Sequence, residues 1–244
     1  MRRFYAPPDN FTDSNISLSN EETRHLRDVL RLREGDKVQV FDGEGKEFLC
    51  EIETIEKKDS CLKIIQEILP SAPESKLDLT LAVALLKGEK FDLVIQKAVE
   101  LGVTKLFPLI TKRTDVKLKE TEKKIERWRK IILEASKQCG RAKLMRMEEP
   151  LDFKDFLRES ASLLLYGENL VLFSERGGEG FSAVKSSKKI TALIGSEGGW
   201  DDSEIELARE NGIQIITLDG RILRAETAGI VIPALLQNHF GDLR

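Results

Sequence analysis

From position 77 onward the sequence alternates short apolar runs with segments of helical period, and this alternation restricts the fold more than any other feature. Residues 77–86 form a strand-length run. A stripe of Phe91, Val94, Ile95, Ala98 and Leu101 follows at helical spacing, with Gly102 as its C-terminal stop. Further strand-like runs are expected near 106–110, 163–166, 170–173, 190–194 and 213–218, with helices over 121–138, 202–210 and 226–239. Asn211-Gly212 stops the helix over 202–210 ahead of the 213–218 strand. Strands that alternate with helices predict an α/β domain, its mostly parallel sheet covered on both faces.

The first third reads differently. Ser19 and Glu22 form an S-x-x-E capping pattern at the head of an expected helix within 16–33. Leu26, Val29 and Leu30 supply its apolar stripe, and Arg24, Arg27 and Arg31 are spaced to share one face. That face is either a solvated ridge or a phosphate-facing one. Beyond Gly35 the period becomes two. Val38, Val40 and Phe41 lead into the turn Asp42-Gly43-Glu44-Gly45, and Phe48, Cys50 and Ile52 alternate after it. With 61–65 as a further strand, a small barrel or curled sheet is the natural way to bury these faces. Residues 71–76 contain Pro73 among small polar side chains and read as a linker after Pro70, so the expected domains are 1–70 and 77–244.

Composition narrows the functional classes. The chain has 39 basic and 42 acidic side chains, a formal charge of -3, so no whole-chain basic signature marks a nucleic-acid partner. Positive charge is local instead. Residues 112–130 hold nine Lys or Arg against four Asp or Glu, and Lys137, Arg141, Lys143 and Arg146 follow with no acid between them. Phosphate contacts explain such a sector economically; a helix laced by ion pairs explains the first stretch but not the second. Three scattered cysteines and two distant histidines predict free thiols and no metal site. The lack of a long apolar run predicts no membrane span and a cytoplasmic protein.

Ligands of open α/β sheets bind beyond the carboxyl ends of the strands. Three loops have that placement: Thr111-Lys112-Arg113-Thr114, Gly195-Ser196-Glu197-Gly198-Gly199-Trp200, and 218–228 ahead of the last helix. Neither GxGxxG nor GxxxxGK[ST] occurs, which disfavours the familiar dinucleotide and phosphate-loop sites. Ser196 is not in a G-x-S-x-G elbow, which disfavours a Ser-His-acid hydrolase.

At these loops the chain resembles the RsmE-like family of bacterial small-subunit ribosomal RNA (uracil-N3)-methyltransferases, in the trefoil-knotted SPOUT superfamily. The resemblance runs in order from Arg2-Arg3-Phe4-Tyr5 and His25-Leu26-Arg27-Asp28-Val29-Leu30-Arg31, through Lys90-Phe91-Asp92 and Gln96 to Val103, to Glu134-Ala135-Ser136-Lys137-Gln138-Cys139-Gly140-Arg141. It is strongest at Ile194-Gly195-Ser196-Glu197-Gly198-Gly199 and Leu223-Arg224-Ala225-Glu226-Thr227-Ala228. Ser196 stands where the family usually has proline, and Cys139 where serine is common. The resemblance implies a PUA-like RNA-binding barrel followed by a knotted α/β domain. It also implies a homodimer and S-adenosylmethionine held by Leu193, Gly195, Glu197, Gly198, Gly199, Leu218, Gly220, Leu223 and Thr227.

The implied reaction is methyl transfer to N3 of a uridine in 16S ribosomal RNA of the small subunit. Alternatives are another RNA nucleotide as target, or a non-enzymatic RNA-binding assembly factor on the same fold. For the uridine reaction Arg141 and Arg224 are the expected stabilisers of the base anion, with Glu197 as proton acceptor or loop fastener. The expected RNA contacts are Arg2, Arg3, Arg24, Arg27, Arg31, Arg113, Gln138 and Arg141.

Overall fold

The computed structural model describes residues 2–116, 121–165 and 167–243. Residues 117–120 of the basic stretch and position 166 of the 163–166 run lie outside them. The chain forms two compact units: Met1–Glu74 with Ser136–Leu144, and Ser75–Ala135 with Met145–Arg244.

The first unit holds β1 (Arg3–Tyr5), β2 (Asn15–Leu18), α1 (Asn20–Arg24), β3 (Lys37–Phe41), β4 (Glu47–Ile55) and β5 (Ser60–Ile68). Its five-stranded sheet has the order β1-β3-β4-β5-β2, with β1 parallel to β3 and the other neighbours antiparallel. The β3–β4 turn forms where the glycines foretold it: Asp42 Oδ1 accepts the backbone N–H groups of Glu44, Gly45 and Lys46. One face buries Phe4, Ile16, Leu18, Leu26, Val38, Val40, Cys50, Ile52 and Leu62. Burial pushes the Cys50 thiol up to about 12, which leaves it an inert core group.

The helix expected within 16–33 is shorter than its pattern. Residues 15–18 are strand. Ser19 caps α1 by accepting the Glu22 N–H at 3.3 Å, and a π turn (His25–Val29) then ends the helix. Arg31 follows in the left-handed region, at φ 54°. The three arginines therefore do not form one helical ridge.

The segment 136–144 joins this unit through Arg3. Its guanidinium bonds Glu47 Oε1 at 2.7 Å and donates to the carbonyls of Ser136 and Arg141, each at 2.8 Å, while stacking 4.0 Å over Phe41. Expected as a phosphate contact, Arg3 instead pegs the chain internally, with 8% of its side chain exposed.

The second unit contains β6 (Asp78–Ala84), α2 (Lys90–Glu100), β7 (Val103–Ile110), most of α3 (Thr121–Cys139), β8 (Arg146–Met147), β9 (Leu151–Asp152), α4 (Phe153–Leu165), β10 (Asn169–Phe173), β11 (Lys189–Ile194), α5 (Asp202–Glu210), β12 (Gln214–Ile216) and α6 (Ala225–Phe240). The sheet order is β12-β10-β11-β6-β7-β8, with β9 also on β7, and every pairing is parallel. β11 and β6 lie inside it and are nearly all buried, which is why their sequences are continuous apolar runs.

Residues 163–165 end a helix rather than forming the expected strand. Phe153, Phe156 and Leu157 recur at helical spacing and pack on Trp200, Leu172 and Leu193, and Asp152 Oδ1 receives the Lys154 N–H at 2.9 Å. A short leucine run has no strand period of its own, so the preceding stripe and the cap decide its state.

Candidate cofactor cavity

The carboxyl ends of β10 and β11 open onto a cavity of about 670 Å³ in the second unit. That lies within the usual range for small-molecule sites. Two of the three expected loops enclose it: 194–200 and 217–226, the latter running into α6. Ile194, Leu218, Leu223 and Ile232 give apolar walls, while Glu175, Glu197, Asp219 and Glu226 bring carboxylates to its lining.

The glycine loop is shaped by its neighbours. Trp200 is 1% exposed; its indole N–H donates to the Phe173 carbonyl at 2.9 Å, and its ring lies 5.0 Å from Phe153. A Cβ on Gly195 would stand 3.2 Å from that indole, so the backbone can pass only as glycine unless the tryptophan shifts. Gly199 has φ 69° and closes a turn by donating its N–H to the Ser196 carbonyl at 2.9 Å. Ser196 gains a bond that proline could not make: its hydroxyl donates to the Arg113 carbonyl at 2.9 Å.

The loop 111–114 buttresses this turn and is not part of the cavity lining. Arg113 donates to the Gly198 carbonyl at 3.0 Å and pairs with Asp201, and Lys112 reaches Asp201 and Ser203. Asp201 caps α5 in a reciprocal box with Glu204. Hydrogen bonds from the Ser203 hydroxyl, Lys112 and the Ser203 N–H hold the Asp201 carboxyl down at about 2.

Gly195, Glu197, Gly198, Gly199, Leu218, Gly220, Leu223 and Arg224 all line the cavity. Leu193 does not; it is fully buried in the core behind the sheet, and Thr227 is also absent from the lining. Arg141 belongs to the first unit, where it is 4% exposed and bonds Glu74 at 2.7 Å. Gln138, Arg2, Arg24 and Arg31 are exposed. Arg27 pairs with Asp28 at 2.7 Å and donates to the carbonyls of Glu56 and Lys57, bracing the turn between β4 and β5.

Burial raises the Glu197 carboxyl, but hydrogen bonds from the Lys87 N–H and the Lys90 ammonium outweigh it and hold the group below its ordinary value. Such a carboxylate is well fastened and correspondingly weak as a base. Sequence reasoning passed over Lys90, Glu175, Asp219 and Glu226 as site residues. Glu175 carried a usable signal, because it lies just past the end of the strand β10.

The residues suit a ligand with a flat apolar part and a positive centre. Aliphatic walls can take a ring, tightly turned backbone exposes polar groups, and four carboxylates against the cations Lys90, Arg221 and Arg224 leave a small negative excess that favours a cation. Residues 73–237 match the RNA methyltransferase domain and 18–65 match the RNA methyltransferase PUA domain, so the parallel sheet with its cavity and the small β-sheet unit are those of an RNA methyltransferase.

Ribosomal RNA small subunit methyltransferase E of Synechocystis is 34% identical, covering 97% of this chain and 78% of the relative. Its Bacillus subtilis counterpart is 34% identical over 87% and 86%. The Neisseria gonorrhoeae structure of that name, bound to S-adenosyl methionine, superposes with TM-score 0.89 at 31% identity over 100% of both chains. A Legionella pneumophila methyltransferase with bound SAM gives 0.89 at 33% over 99% of each. The chain belongs to the ribosomal RNA small subunit methyltransferase E family, with a PUA-like N-terminal domain and a SPOUT-type knotted methyltransferase domain.

Proposed function

We propose that the chain methylates N3 of a uridine in 16S ribosomal RNA, using S-adenosylmethionine held in the 670 Å³ cavity, and works as a cytoplasmic homodimer. The observation that carries this reading is the union of the 194–200 and 217–226 loops around one cavity at the carboxyl ends of β10 and β11. The two similar structures whose names include the bound cofactor support it. The cofactor supplies an electrophilic sulfonium methyl. The chain's part is to align that methyl with the base and to steady the charge left when N3 loses its proton.

Arg224 fits the second task. It is the exposed N-cap residue of α6, lines the cavity and carries a permanent charge. Glu197 fits the fastening role, since its Oε1 already accepts from Lys87 and Lys90. Arg141, bonded to Glu74, fits a supporting role toward RNA through the segment 136–144. Among the described residues no helix is long and apolar enough to cross a membrane. The homodimer is supported by α6, which is apolar nearly all round yet leaves Ile230, Val231, Ala234 and Leu235 half-buried.

Arg224→Ala is expected to cut methylation of isolated small subunits far more than it weakens cofactor binding by calorimetry. An equal loss in both would refute the anion-stabilising role. Mapping the modified nucleotide tests the target: a methyl group at any position other than uridine N3 overturns the assignment.

A further inference from the structure

Lys90 opens α2, and its ammonium lies between carboxylates borne by the two loops that enclose the cavity. Nζ is 3.2 Å from Glu197 Oε1 and 3.8 Å from Glu226 Oε2. The same Glu197 oxygen accepts the Lys87 N–H at 3.1 Å. Glu226 Oε2 is buried and has no hydrogen-bond partner among the described residues. Lys90 stands within ion-pair range of it but beyond hydrogen-bond reach. Side-chain exposure is 39% at Lys90, 30% at Glu197 and 16% at Glu226, so solvent screens these charges only in part.

We propose that Lys90 is a positioning residue that sets the separation between the glycine loop and the first turn of α6, and thereby the width of the cavity. The proposal rests on reading that cavity as the cofactor site. The ammonium hydrogen-bonds Glu197 and its charge attracts Glu226 from 3.8 Å, so one side chain ties both carboxylates. Its base is fixed, because α2 packs on α6 where a Cβ on Gly229 would stand 2.9 Å from Val94 Cγ2. The helices are already at closest approach, so the loops cannot compensate by sliding them together. Without Lys90, Glu197 would keep only Lys87 nearby and Glu226 would lose its ion pair, so the two would face the same cavity as like charges. A buried carboxylate oxygen would also lose its nearby cation, which is costly. The first turn of α6, with Arg224 at its cap, would then move away from the glycine loop.

The test compares the full-length wild type with Lys90→Met, Lys90→Arg and the double variant Lys90→Met/Glu226→Gln. The readouts are S-adenosylmethionine affinity by calorimetry, the thermal midpoint without cofactor, and kcat and KM on small subunits. Lys90→Met is expected to weaken cofactor binding about tenfold or more, the scale of losing the charge-assisted hydrogen bond to Glu197. It should also lower kcat at saturating cofactor and leave KM for RNA unchanged. Lys90→Arg should restore most of both. Glu226→Gln in the Lys90→Met background should recover part of the thermal midpoint, because the orphaned charge is gone.

Wild-type affinity and kcat in Lys90→Met would overturn the proposal. So would a kcat deficit that saturating cofactor abolishes, since that marks mere stabilisation. Failure of the wild-type chain to bind cofactor overturns the cavity reading and the proposal with it; wild-type binding with an unaffected Lys90→Met overturns the proposal alone.

Discussion

Gly229→Ala sets two opposed effects against each other at the helix pair that supports the cavity. In an exposed helix, alanine would stabilise by about 1 kcal/mol relative to glycine. Here the added Cβ would meet Val94 Cγ2 at 2.9 Å and Cγ1 at 3.1 Å, against roughly 3.5–4.0 Å for comfortable carbon contacts. Val94 is fully buried, and a valine in a helix has essentially one rotamer, so it cannot turn aside. Overpacking of this kind costs about 1–3 kcal/mol. The net expectation is a loss of roughly 1 kcal/mol, or a fall of about 2–4 °C in the thermal midpoint of a chain this size. Calorimetry with S-adenosylmethionine should show weaker binding as well, because α2 carries Lys90 and α6 carries Glu226. Val94→Ala in the same chain should relieve the overlap, so the double variant should lose less than the two single losses together. A midpoint at or above wild type, with unchanged cofactor affinity, would refute the claim that this contact fixes the helix spacing.

Two further predictions concern charge. The Asp201 carboxyl is depressed to about 2 from its ordinary 3.8, so its contribution to stability is present above that ordinary value and lost as pH falls toward 2. Urea midpoints measured down the acid limb should therefore fall less steeply for Asp201→Asn, and an identical slope would count against the cap. In the first unit, Arg24→Glu and Arg31→Glu should weaken RNA binding and flatten its salt dependence with little change in thermal midpoint, because both side chains are exposed. Arg27→Glu should lower the midpoint too, since it breaks the brace to Glu56 and Lys57; equal midpoints for all three variants would contradict this division.

The α/β architecture was legible because its signals are local. Apolar runs in β6 and β11 reflect strands covered on both faces, and Gly102 ends α2 with a φ of 72° that glycine tolerates best. The glycine loop was legible from its position after an apolar strand. What the sequence concealed depends on distant partners. Arg3 looks like a free surface cation until Glu47 and two carbonyls beyond position 135 are seen to hold it. The arginine spacing in 24–31 implied a continuous helix, but a π turn and the left-handed Arg31 break the register. Lys90 and Glu226 meet only because α2 and α6 pack together, and no local period encodes that. Leu163-Leu164-Leu165 misled because a short apolar run fits either state and only the stripe before it decides.

The central claim is that two loops distant in sequence form one cofactor cavity. Photocrosslinking of labelled S-adenosylmethionine to the full-length chain, followed by peptide mapping, tests this most directly. The label is expected in peptides spanning 194–200 and 217–232, and excess unlabelled cofactor should displace it from both. Specific labelling confined to other segments, or none at all, would contradict the account.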